Sequence, residues 1–223
     1  MQGLWVRLFT PRLPDASGPC SGTVGSGDQP FDLIVLGESP VAGIGAATHE
    51  SALTGQIASA LAACTGRRIR WQAAGLSGAT ARRALQELVP QMAGRHADAV
   101  IIVLGVNDLL EWQGDVRWAS NLEELISGVR QQVGNALIIL TGVPPMEYVP
   151  AFPRPLKTIL GKRAKLLDKA SSHIAGAIPR VIHVSSQFEL NRDFFCEDGF
   201  HPSESGYAQW GKLLAEVIAS VDA

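Results

Sequence analysis

An apolar run that ends abruptly constrains this chain most. Phe31-Asp32-Leu33-Ile34-Val35-Leu36 is followed at once by Gly37-Glu38-Ser39-Pro40-Val41-Ala42-Gly43-Ile44-Gly45. Leu33 to Leu36 leave no polar face, and successive side chains of a strand point to opposite sides. Such a run is therefore a strand covered on both faces, as in a parallel sheet with helices above and below. Gly37 lets the chain turn, and Ser39 falls just past the strand's carboxyl end. In open α/β sheets that rim is where ligands bind.

The rest of the chain repeats the theme. Helical spacing of Leu53, Ile57, Ala60, Leu61 and Cys64 predicts a helix over about 50–63, stopped by Gly66. Residues 68–74 read as a short strand. A second helix is expected with Ala81, Leu85, Leu88, Val89 and Met92 on one face. Residues 97–104 form the clearest central strand. A helix over about 118–133, a strand at 136–140, a basic amphipathic helix at 156–177 and a strand at 181–184 follow. The chain closes in a helix carrying Tyr207, Trp210, Leu213, Leu214, Val217 and Ile218 on one side. Alternation of this kind implies a parallel sheet, here of five strands, joined by right-handed crossovers over both faces. Residues 1–30 read as an N-terminal arm (Leu4, Trp5, Val6, Leu8, Phe9) and a Gly/Ser/Pro-rich loop, and residues 31–223 as the domain proper.

Composition removes several function classes. A formal net charge of −2, from 19 basic and 21 acidic residues, gives no basic excess for nucleic acid. No stretch is long and apolar enough to span a bilayer. The N-terminus lacks the basic start and small-residue cleavage site of a signal peptide, so a cytoplasmic location is expected. Three cysteines (Cys20, Cys64, Cys196) without CxxC spacing make neither a disulfide framework nor a zinc site. Cys64 reads as core and Cys196 as a bystander.

Loops that follow parallel strands all emerge on one edge, so residues scattered in sequence can meet there. Four such loops carry Ser39, Gly78, Asn107, and the pair Asp198 and His201. Each has an ordinary explanation: a helix N-cap for Ser39, turns for Gly78 and Asp198-Gly199, capping for Asn107, a surface turn for His201. Together they supply what acyl transfer needs: a nucleophile, a base, a residue to orient the base, and oxyanion donors.

Gly37-Glu38-Ser39, Gly78, Gly105-Val106-Asn107-Asp108 and Asp198-Gly199-Phe200-His201-Pro202 together resemble, in order, the four blocks of the SGNH, or GDSL, hydrolases. The resemblance spans Leu33 to about Tyr207 and implies a flavodoxin-like three-layer α/β/α domain that hydrolyses esters without metal or cofactor. It implies Ser39, Asp198 and His201 as the triad, and the N–H groups of Ser39 and Gly78 with Asn107 as the oxyanion hole. Two positions depart from the pattern. Glu38 stands where Asp is usual, so its local hydrogen bonds are expected to shift. Ala73 stands where an Asn often supports the second block.

The expected substrate is a small, short-chain acyl ester. Acetylated sugars, lysophospholipids and thioesters are the alternatives within the fold, and an inactive binding domain is the non-enzymatic one. Trp112, Tyr148 and Phe152 are the candidate substrate-binding residues, the last two in the loop 144–155 with Met146 and Val149. That loop is proline-rich and expected to be stiff. Ser77, in Gly75-Leu76-Ser77-Gly78-Ala79, is a rival nucleophile of the elbow type. Gly43-Ile44-Gly45 is a weak dinucleotide-binding signal, with no helix starting at its first glycine.

Overall fold

Side-chain alternation along one strand divides the molecule into layers. Leu33 and Val35 face one sheet of helices, Ile34 and Leu36 the other, and all four are buried. The structure, a computed structural model, describes residues 13–186 and 190–222. Among these the strands are β1 (Ser21–Val24), β2 (Pro30–Gly37), β3 (Arg68–Gly75), β4 (Ala99–Val103), β5 (Leu137–Thr141) and β6 (Val181–Val184). They form one sheet in the order β1-β3-β2-β4-β5-β6. β2 to β6 run parallel, and β1 pairs antiparallel with β3.

The expected five-stranded parallel sheet is thus a six-stranded mixed one. The added strand lies inside the stretch read as loop. Ser21-Gly22-Thr23-Val24 shows no apolar period because it is a half-exposed edge strand. At Gly22 the Trp71 indole fills the space: a Cβ there would meet Trp71 Cζ2 at 2.7 Å. The arm residues Leu4, Trp5, Val6, Leu8 and Phe9 lie outside the described residues.

The helices are α1 (Ser39–Ala42), α2 (Leu53–Thr65), α3 (Ala81–Arg83), α4 (Val106–Leu110), α5 (Asp115–Val133), α6 (Leu156–Ala177) and α7 (Glu204–Asp222). α2 and α7 cover one face of the sheet, burying Leu53, Ile57, Leu61, Tyr207, Leu214 and Ile218. α5, α6 and the segment after α3 cover the other, burying Leu88, Met92, Trp118, Leu125, Leu160 and Leu167. The single helix expected from Ala81 to Met92 is three kinds of turn. α3 gives way to a π-turn at Ala84–Leu88 and a 3-10 turn at Val89–Met92. Pro90 explains the change, because its ring clashes with the carbonyl four residues back and it has no N–H to donate. The turn opens ahead of it, and the Val89 N–H reaches the Ala84 carbonyl instead. No helix among the described residues is long and apolar enough to cross a membrane.

Candidate active site

The carboxyl end of β2 runs straight into α1, and Glu38, not Ser39, takes the N-cap position (φ −90°, ψ −151°). Pro40 sits in the first helical turn, where a missing N–H costs nothing. The N-cap explanation for Ser39 therefore fails, and its hydroxyl caps no helix. Glu38 turns toward α4 instead. Its Oε1 accepts the Val106 N–H at 3.1 Å, and its Oε2 accepts the Asn107 N–H at 3.1 Å and the Asn107 side-chain amide. These N–H groups belong to the first turn of α4 and have no partner within it. Burial pushes the Glu38 carboxyl up to about 8, with the Asp108 charge adding to the rise against the three donors. The Asn107 amide is thereby fixed, with its second N–H left for another acceptor.

Asp108 braces the neighbouring loop. It is wholly buried, and its Oδ2 accepts the Ala81 N–H at 3.0 Å, three residues past Gly78. Its Oδ1 has no hydrogen-bond partner among the described residues, and burial pushes the carboxyl up to about 6, Glu111 adding to the rise. Gly78 holds a left-handed backbone (φ 77°) that side chains rarely adopt. Neither its N–H nor that of Ser39 has an acceptor among the described residues. Ser77 points away, donating to Asp15 at 2.8 Å, and meets no histidine.

Asp198 and His201 form a close pair, with Nδ1 donating to Oδ2 at 2.6 Å. The other carboxylate oxygen accepts the N–H groups of Phe200 (2.8 Å) and His201 (2.9 Å) and the Cys196 thiol (3.1 Å). Burial alone would raise the Asp198 pKa, but the His201 ring and these donors hold it down at about 2. An ionised Asp198 on Nδ1 leaves Nε2 of a neutral ring as the acceptor. The loop is fastened by the Phe195–Pro202 bridge and by the Tyr207 hydroxyl on the Ile44 carbonyl at 2.5 Å. Gly45 (φ 93°) serves the same closeness, since a Cβ there would lie 2.3 Å from the Pro202 carbonyl oxygen. That packing accounts for the Gly43-Ile44-Gly45 signal without a nucleotide.

Ser39 and His201 line one pocket, although no hydrogen bond joins hydroxyl to ring among the described residues. Catalytic hydrogen bonds are commonly long before substrate arrives. Met146 and Val149 line this pocket too. Trp112, Tyr148 and Phe152 do not. Trp112 is 56% exposed with the Arg163 guanidinium 4.8 Å from its ring, and Tyr148 is 64% exposed. Phe152 is buried edge-on against Phe200 (5.5 Å between centroids), which packs on the His201 ring in turn. It supports the His201 ring from behind.

The Cys196 thiol lies 3.1 Å from both Asp198 Oδ1 and the His201 carbonyl oxygen. Burial and the Asp198 charge push that thiol up to about 12, so it stays a protonated donor rather than a nucleophile. Sequence reasoning missed this bond and the Asp108 brace. The available signals were a thiol two residues before Asp198 and a carboxylate beside Asn107. Asp32, His96 and Asp98 alone bring three metal-type ligand atoms together among the described residues, at the amino ends of β2 and β4. Arg70 already occupies Asp32 there, at 2.5 Å.

Comparison with known proteins bears on this geometry. The model of the GDSL-like Lipase/Acylhydrolase family matches residues 35–209. A GDSL-like esterase of Mycobacterium tuberculosis, Rv1075c, is 28% identical over 96% of this chain and 73% of its own length. Among solved structures, the psychrotrophic esterase EstA from Pseudoalteromonas sp. shares the fold with a TM-score of 0.65 and 18% identity, over 85% of this chain and 97% of its own. Est24, a carbohydrate acetylesterase from Sinorhizobium meliloti, does so with a TM-score of 0.65 and 18% identity, over 86% of this chain and 99% of its own.

Proposed function

The chain belongs to the GDSL-like lipase/acylhydrolase family, and on that premise we propose that it is a serine carboxylesterase acting through Ser39, His201 and Asp198. Ser39 Oγ attacks the acyl carbonyl as His201 Nε2 takes its proton. Negative charge gathers on the carbonyl oxygen, where the N–H groups of Ser39 and Gly78 and the free N–H of the Asn107 amide receive it. Collapse expels the alcohol, which takes the proton from His201, and leaves an acyl-enzyme. Water, deprotonated by His201, then releases the acid and restores Ser39. Asp198 stays ionised throughout and stabilises the imidazolium.

The observation that supports this reading best is the 2.6 Å Asp198–His201 bond on a ring that shares a pocket with Ser39. The substrates proposed are small esters of short acyl chains. Acetylated sugars, lysophospholipids and thioesters would use the same steps and differ in the group expelled. A fluorophosphonate probe should label Ser39, and Ser39→Ala should lose ester hydrolysis by several orders of magnitude with the fold intact. Near-wild-type turnover by folded Ser39→Ala would remove Ser39 from the mechanism. Failure of the probe to label any serine would favour an inactive binding domain.

A further inference from the structure

Cys20 and His49 make a second pairing of nucleophile and base, separate from Ser39 and His201. Cys20 is the last residue before β1, and its carbonyl accepts the Ala73 N–H at 2.8 Å. Three residues earlier, the Ser17 carbonyl accepts the His49 N–H at 3.1 Å, and Ser17 bridges to Thr48. Both backbones are thereby fixed, and the side chains meet: Cys20 Sγ lies 3.4 Å from His49 Nε2. Their surroundings differ. The thiol is exposed, whereas the imidazole is buried, at 6% exposure. Its other nitrogen, Nδ1, is buried with no hydrogen-bond partner among the described residues. An unpaired buried nitrogen is costly, and catalytic or redox work is one reason for a protein to keep one. Burial pushes the His49 pKa down, with the Asp15 carboxylate of the same segment opposing it. The ring is therefore neutral at pH 7. With its proton on Nδ1, it offers Nε2 to the thiol as an acceptor.

We propose that Cys20 is a site of thiol–disulfide exchange, with His49 as its base and a small disulfide as its substrate. His49 Nε2 takes the thiol proton as Sγ attacks one sulfur of the disulfide. A bond from Cys20 Sγ to that sulfur forms as the original S–S bond breaks, and the departing thiolate takes the proton from Nε2. The Cys20 sulfur is oxidised and the released sulfur reduced, leaving a mixed disulfide that excess thiol reverses. The other two thiols lack these means. Cys64 is exposed but meets no imidazole among the described residues, and Cys196 is held protonated by burial and Asp198. None of this depends on the role of Ser39.

The probe is 2-hydroxyethyl disulfide, which is uncharged and so is not repelled by Asp15. Mass spectrometry of the full chain, sampled over time, gives the rate of adduct formation at Cys20 and at Cys64. Exposure scales each rate by a factor that pH does not alter, so the change of the Cys20-to-Cys64 ratio with pH isolates the base. That ratio should be about three- to tenfold higher at pH 6.5 than at pH 9, where ordinary thiols ionise unaided. In His49→Gln, which keeps the backbone bond to Ser17, the ratio should no longer change with pH. A ratio constant with pH in the wild type would overturn the proposal, and that measurement needs no variant to fold. So would a pH dependence that survives in folded His49→Gln. Labelling of Ser39 by the fluorophosphonate is a separate measurement, and neither result at Cys20 alters what it says of the ester chemistry.

Discussion

Under the proposed mechanism Glu38 acts on the oxyanion hole from outside it, so its removal should act through Asn107. Its carboxylate accepts three N–H groups from α4, one of which fixes the Asn107 amide. A buried N–H left unpaired costs about 1–3 kcal/mol. Glu38→Ala strands two backbone N–H groups, so a loss of roughly 2–6 kcal/mol of stability is expected. Its catalytic effect has a ceiling. One oxyanion donor contributes about a hundred- to a thousandfold in kcat, so Glu38→Ala should not fall beyond Asn107→Ala. Glu38→Gln, which keeps one acceptor oxygen, should lie about ten- to a hundredfold below wild type. In all three KM should change little, since the donor acts where charge develops. The decisive assay is the double variant Glu38→Ala/Asn107→Ala. If Glu38 works only by holding Asn107, kcat of the pair should match that of Asn107→Ala alone. Multiplicative losses, in a double variant shown to be folded, would refute the reasoning.

The same residue should leave a signature in pH. The Glu38 carboxyl is raised from an ordinary 4.5 to about 8 in the folded protein. The folded state therefore holds a proton that the unfolded state has released. This contribution to stability is fully present below about 4.5 and is lost as pH rises through about 8. Thermal melts of the wild type should decline across that window, and Glu38→Gln should lack that part of the slope. An ionised carboxylate is also the better acceptor for Asn107, so kcat should rise through about pH 8 in the wild type and not in Glu38→Gln.

Other consequences are simpler. Asp108→Asn keeps an acceptor for the Ala81 N–H but removes a carboxyl raised from 3.8 to about 6, whose stabilising effect is lost as pH rises through that range. Melting temperatures of this variant and the wild type should therefore diverge in favour of Asn as pH rises from about 3.8 to about 6 and stay apart above it, and no divergence would show that Asp108 is not strained by burial. Cys196→Ala removes one donor to Asp198 and should lower kcat by about three- to tenfold, with Cys196→Ser restoring most of it. Iodoacetamide should alkylate Cys196 more slowly than the exposed Cys20 and Cys64, because its thiol is held protonated; mass spectrometry of partly labelled protein reads the order directly.

Much of this molecule was legible because its central strands have no polar face. Leu33–Leu36 and Val100–Val103 can sit only between two apolar layers, and that fixed a parallel sheet with its loops on one edge. The spacing Asp198-x-x-His201 was legible for a local reason, since three residues bring the carboxylate to Nδ1 around Gly199. What stayed hidden depended on reach across the fold. Nothing near Glu38 in sequence announces Asn107, which is 69 positions away, nor does Asp108 announce Ala81. The pocket was hidden for the same reason, as its walls come from the start of α1, β4, α4, the loop after β5, the loop before α7, and α7 itself. Aromatic content was misleading by contrast. Phe152 reads as substrate-facing because it is large and apolar, and it is buried behind Phe200 and His201.

The edge strand and the departure at Ala73 are two sides of one arrangement. A side-chain amide at that position would help hold the loop of Gly78, and Ala73 has none to offer. In this chain the segment before β1 holds that corner with backbone groups. The Cys20 carbonyl accepts the Ala73 N–H at 2.8 Å. Further back, the Ala16 N–H donates to the Ala42 carbonyl at 3.0 Å, and Ser17 exchanges bonds with Ala47 and His49. Asp15 takes the Ser77 hydroxyl at 2.8 Å, one residue from Gly78. One strap therefore ties the end of α1, which begins at Ser39, to the turn that presents the Gly78 N–H. Backbone acceptors do not depend on side-chain identity, so the residues of this strap are free to be small and polar. That freedom is why the stretch looks like a linker in sequence while bracing the turns that carry Ser39 and Gly78 in the fold.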